Sequence, residues 1–140
     1  MSVRLVIQKT FKDTKKVAKV ILNDNGKILL LLRKPNQAHP NKWDLPGGHL
    51  VEGESWRVGA TREVKEETNL TVGELQFVTG TDRKRFYITS DWEGSIFPTP
   101  ELPEHDDLIW IEHKKAEQLS NLGDIYRDVI RRAFACDGLD

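Results

Sequence analysis

The stretch Gly47 to Leu70, GGHLVEGESWRVGATREVKEETNL, constrains the chain most. Two glycines open it, and a helical pattern fills its second half. Ser55 is a natural N-cap for that helix and Asn69 a natural left-handed terminator. At 100° per residue, Glu63, Glu66 and Glu67 share an arc of about 100°. Trp56, Gly59, Ala60 and Val64 fall on or beside the same arc, whereas Arg57, Thr61, Lys65 and Thr68 take the other side. An ordinary amphipathic helix keeps charge off its apolar face. Here the carboxylates sit on it.

The energetics of that face are unfavourable. Two carboxylates about 5 Å apart repel by roughly 3 kcal/mol at an effective dielectric near 20, and desolvation adds to the cost. Arg62 offers one positive charge, an i,i+4 partner for Glu66. One arginine does not balance three carboxylates. Either they are well solvated or a divalent cation sits among them. An all-oxygen cluster suits a hard ion, Mg²⁺ with Mn²⁺ as substitute.

The surrounding spacing carries more. Gly48, Glu54, Arg62, Glu63, Val64, Glu66, Glu67 and Leu70 fit G-x5-E-x7-R-E-U-x-E-E-x-G-U, where U is a bulky aliphatic, at eight of nine fixed positions. Asn69 replaces the second glycine, and Asn is the next-best residue for a left-handed conformation. The segment resembles the Nudix box of the MutT-like pyrophosphohydrolases. Trp43-Asp44-Leu45-Pro46-Gly47-Gly48 is similar to that family's W-x-L-P-G-G lead-in, and Arg33 resembles the arginine ending the preceding strand. Asp106 to Ile111 is similar to its late acidic strand. The likeness covers roughly residues 17–135.

The resemblance implies an α/β/α sandwich with a mixed sheet, α+β or α/β in class, and a loop-helix-loop motif at 48–70. It implies metal-dependent hydrolysis of a nucleoside diphosphate linked to X, with nucleoside triphosphates as the broad default. Diadenosine polyphosphates and sugar nucleotides are the alternatives, and an inactive nucleotide-binding module is a further one. It assigns the metal to the Gly47 carbonyl, Glu63, Glu66 and Glu67, and catalytic roles to Glu63, Arg62 and Glu54. The general base is Glu63 or an acid among Glu101, Glu104, Asp106 and Asp107. Substrate contacts are expected from Arg33, Trp43, Gly48, Arg83, Tyr87 and Glu104. Tyr87 stands 17 residues past the box, where some diadenosine-polyphosphate hydrolases carry a tyrosine. Trp92 offers a second ring for stacking.

Other features set bounds. A chain of 140 residues predicts one domain, 1–140. A net charge of −1 argues against general nucleic-acid binding. No apolar run approaches a membrane span, and polar residues interrupt the N-terminal one, so neither a membrane segment nor a signal peptide is expected. The single cysteine, Cys136, excludes an intrachain disulfide and fits a reducing cytoplasm. The partner expected is a nucleotide-type small molecule, and a homodimer stays open. Strands are predicted at 3–11, 17–22, 27–33, 70–79, 84–90 and 108–111. Asn25-Gly26 makes a hairpin of the second and third. Helices are predicted at 114–119 and 123–135.

Overall fold

The computed structural model describes residues 13–34, 40–96 and 105–135. The strand predicted at 3–11 lies outside them, as do Glu101 and Glu104. In chain order come β1 (Asp13–Asp24), β2 (Lys27–Arg33), β3 (Trp43–Asp44), β4 (Gly47–Val51) and α1 (Trp56–Thr68). Then follow β5 (Thr71–Val72), β6 (Gln76–Gly80), β7 (Lys84–Thr89), β8 (Trp92–Glu93), β9 (His105–Glu112), α2 (His113–Ala116) and α3 (Asp124–Ala135).

The sheet is mixed. β1 pairs antiparallel with β4 and parallel with β7, and β6 closes that edge against β7. The Asn25-Gly26 turn, both residues at positive φ, returns the chain into β2 as the sequence predicts. β2 carries β9 along one side, with β1 and then β3 on the other. Its residues Ile28 to Leu31 are fully buried, as expected of a strand covered on both faces.

Alternation along the central strands feeds two cores. Ala18, Val20, Leu22, Leu29, Leu31 and Tyr87 pack with Ala60 and Val64 of α1. Ile21, Ile28, Leu30 and Phe86 pack with Val129, Ile130 and Phe134 of α3. The result is a helix-sheet-helix sandwich, with α1 and α3 on opposite faces.

The caps place α1 as predicted. The Ser55 hydroxyl accepts from the Val58 N–H at 3.2 Å. Asn69 ends the helix at φ 69°, its N–H donating to the Lys65 carbonyl at 2.9 Å. Thr68 departs from expectation: it is buried, and its hydroxyl donates to the Val64 carbonyl at 2.7 Å. The strand predicted over 70–79 is broken into β5 and β6. The Gly73 and Glu74 N–H groups turn aside to the Asp91 carbonyl (2.8 Å) and carboxylate (3.2 Å). β8 is an unpredicted strand pairing with β5, and β9 begins three residues earlier than expected. The helix predicted at 114–119 is one turn. No described helix is long and apolar enough to cross a membrane.

Candidate active site

The glycine pair and the acidic face of α1 meet at the N-terminal end of β4. Gly47 has φ 136°, and a Cβ there would lie 2.0 Å from the Ala18 carbonyl oxygen. Gly48 clears space for Glu63: its Cβ would lie 2.4 Å from Glu63 Oε2. Glycine at 47 and 48 thus lets strand, loop and carboxylate converge.

Arg62 organises the half-buried carboxylates. Its Nε and Nη2 donate to Glu54 at 2.7 and 2.9 Å. Its Nη1 donates to Glu63 at 2.9 Å and to Glu66 at 3.0 and 3.1 Å. Glu54, above all, holds the guanidinium firmly protonated. Burial would raise the Glu54 carboxyl, but Arg62 and the Val51 N–H hold it below the usual range. Those contacts brace the β4–α1 loop.

Glu67 is separate and only 4% exposed. Its Oε1 accepts from the Gly47 N–H at 2.7 Å. Burial pushes its carboxyl up to about 8, with Lys19 pulling the other way and Glu63 and Asp44 adding to the rise.

The second balancing cation is Lys19, which the sequence reading missed. Its Nζ lies 3.1 Å from Asp44 Oδ2, 3.3 Å from the Leu45 carbonyl and 3.5 Å from the Gly47 carbonyl. Burial disfavours its charge, yet Asp44, with Tyr126 and Glu67, outweighs that and keeps it protonated. Arg33 adds a second cation to Asp44 at 3.2 Å. Burial alone would raise Asp44; Lys19 and Arg33, with the Tyr126 hydroxyl, hold it low. The available signal was a lysine amid the apolar alternation of β1.

A cavity of about 640 Å³ opens from this point between the sheet and α3. Lys19, Arg33, Lys42 and Lys84 bring four cations to its wall, against Asp44 and Glu67. Trp43 and Tyr126 supply aromatic surface, and Gly47 and Gly48 border it. Burial raises the Tyr126 phenol to about 12.

Of the residues expected to contact substrate, Arg33, Trp43 and Gly48 line the cavity and two others do not. Tyr87 is 2% exposed on the opposite face of β7, packed with α1 in an edge contact with Phe77. Counting residues past the box ignores strand parity, which sends 87 away from the face that 84 and 86 share. Arg83 is exposed beside the β6–β7 turn, and its neighbour Lys84 enters the cavity instead. Trp92 stacks on Trp110 at 5.4 Å and is not a free ring. Glu104 lies outside the described residues.

Among the described residues, no three carboxylate, imidazole or thiol groups converge as a metal site in this arrangement. Arg62 draws Glu63 and Glu66, and the Gly47 N–H holds Glu67. The donor chemistry, carboxylates and a backbone carbonyl with no nitrogen or sulfur, still fits a hard divalent ion.

The architecture is thus an α/β/α sandwich that presents an acidic loop-helix-loop motif to a cation-walled cavity. The NUDIX domain family model matches residues 12–133, and the chain belongs to that family. It is 33% identical over 114 residues to an uncharacterized Nudix hydrolase of Listeria innocua, covering 74% of this chain and 66% of the relative. It is 32% identical over 108 residues to the CTP pyrophosphohydrolase of Escherichia coli, covering 73% and 78%. The chain thus spans just under two-thirds of the Listeria relative's length. The solution structure of the E. coli ORF135 protein shares the fold at a TM-score of 0.73 and 22% identity, over 89% of this chain and 91% of that one.

Proposed function

We propose that the chain is a divalent-cation-dependent hydrolase of a diphosphate linkage in a nucleotide, with nucleoside triphosphates as the first substrate class. The observation that carries this reading is the juxtaposition of the α1 acidic face, beneath Gly47-Gly48, with a cavity walled by four cations. Glu63, Glu66, Glu67 and the Gly47 carbonyl would hold Mg²⁺, for which Mn²⁺ can substitute. The ion supplies charge neutralisation and activation of water when bound.

The chain's own groups supply the rest. Arg62 must release Glu63 and Glu66 from its Nη1 for them to gather, and Glu54 keeps the guanidinium in place as they do. Water attacks one phosphorus, the bond to the bridging oxygen breaks, and the water proton passes to a carboxylate. Glu63 is that base in our reading; the acids of 101–107 are the alternative. Arg33, Lys19 and Lys84 face the phosphates, and Trp43 offers its ring to the base. The domain is taken as single and, with Cys136 its sole cysteine, as cytoplasmic.

The test is a hydrolysis panel with Mg²⁺ and products identified by mass. CTP comes first, on the name of the E. coli relative, then other canonical and oxidised triphosphates, diadenosine polyphosphates and sugar nucleotides. Turnover split at a diphosphate bond is the expected result. No turnover of any of them, with Mg²⁺ binding intact, would favour a binding module.

A further inference from the structure

Three adjacent cations, Arg83, Lys84 and Arg85, stand at the start of β7, and of the three only Lys84 lines the cavity. Arg83 is exposed beside the turn. Arg85 turns to the α1 face, its guanidinium 4.5 Å from the Trp56 ring centre. Lys84 shares the other face with Phe86 and lines the cavity.

The surroundings of Lys84 are unusual for a cation. Its ammonium lies 5.3 Å from the Tyr126 ring centre and 5.8 Å from that of Phe86. Parallel pairing sets Lys84 opposite Val17 and Phe86 opposite Lys19, so the two lysines stand diagonally on one face. Asp44, the carboxylate in the wall that acts on Lys84, is held by Lys19 and Arg33. Among the described residues the Lys84 ammonium makes no hydrogen bond or ion pair, while its backbone is bonded to Thr81. Burial, and Lys19 after it, hold its ammonium below the usual lysine range. A half-buried ammonium with aromatic neighbours and a lysine beside it gains most from an incoming anion.

We infer that Lys84 is the anion receptor of the cavity, a specificity-determining residue that takes a phosphate oxygen of the nucleotide. The inference rests on the proposed function and narrows it, because it names the side chain that takes a phosphate oxygen.

The experiment is a calorimetric titration of inorganic triphosphate into the protein in EDTA, so that only the chain's own groups bind it. Wild type is expected to bind. Lys84→Met should weaken binding roughly tenfold or more, the scale of a lost charge-assisted hydrogen bond. Lys84→Arg should restore most of it. Arg85→Met makes the same change in net charge on the opposite face and should leave binding within about twofold. In steady-state kinetics Lys84→Met should raise KM by a similar factor and leave kcat within about threefold. Equal binding by wild type and Lys84→Met would overturn the inference, as would equal weakening by Arg85→Met or no binding by wild type. Any of these with nucleotide hydrolysis intact sinks the role of Lys84 alone. Absence of nucleotide hydrolysis in wild type sinks the proposed function itself.

Discussion

Replacing Glu67 by Gln should stabilise the metal-free protein while abolishing activity. Glu67 is 4% exposed, and its carboxyl is pushed up to about 8 from an ordinary 4.5. A carboxyl raised in the folded state contributes stability that is complete below the unfolded pKa and lost as pH rises through the folded one. The metal-free protein should therefore lose stability between about pH 4.5 and pH 8. At 1.36 kcal/mol per unit, the full shift corresponds to a limit of about 5 kcal/mol. Gln keeps the acceptor for the Gly47 N–H and removes the buried charge, so Glu67→Gln should recover a few kcal/mol at pH 8. At pH 5, where folded Glu67 is protonated, the two proteins should converge. Urea or thermal unfolding in EDTA at both pH values measures this. Adding Mg²⁺ should then raise the midpoint of wild type and not of the mutant, because only the former carries all the ligands of the proposed metal site. A mutant no more stable than wild type at pH 8, or equally stabilised at pH 5, would refute the reasoning.

Other outcomes follow from contacts already described. Gly48→Ala would place a methyl 2.4 Å from Glu63 Oε2 and should weaken Mg²⁺ binding about tenfold or more by calorimetry, with the fold retained by circular dichroism. Asp44→Ala leaves Lys19 buried beside two carbonyls without its carboxylate and should cost about 3–5 kcal/mol in urea unfolding. Asn69→Gly relieves the positive φ but loses the 3.0 Å side-chain bond to the Ser95 carbonyl, so stability should change by less than about 1 kcal/mol and activity should not change.

The helix that carries the acids was legible because its signals are local. Ser55, Asn69 and the periodicity of the glutamates determine its ends and its faces without help from the rest of the chain. The hairpin at Asn25-Gly26 was legible for the same reason. What escaped depended on distant partners. The break at Gly73 is made by Asp91, eighteen positions further on. Lys19 reads as an oddity in β1 until the fold brings Asp44 to it. Tyr87 was misplaced by counting along the chain where strand parity decides the face, and the same parity distinguishes Lys84 from Arg83 and Arg85. The acids at 101–107 had no spacing rule, and Glu101 and Glu104 lie outside the described residues.

The alternation of β1 and β7 has a further consequence. Val17, Lys19 and Lys84 look into the cavity, while Ala18, Val20 and Tyr87 form the footing of α1. The cavity wall and the seat of α1 are thereby written on alternate letters of the same two strands. Substitution at the cavity-facing positions can retune what the cavity accepts while the helix keeps its seat. Insertion of a single residue in either strand would exchange the two sets, burying lysine under α1 and turning its footing toward the cavity. The shape and charge of the cavity are open to point substitution in these strands and closed to a change of their length.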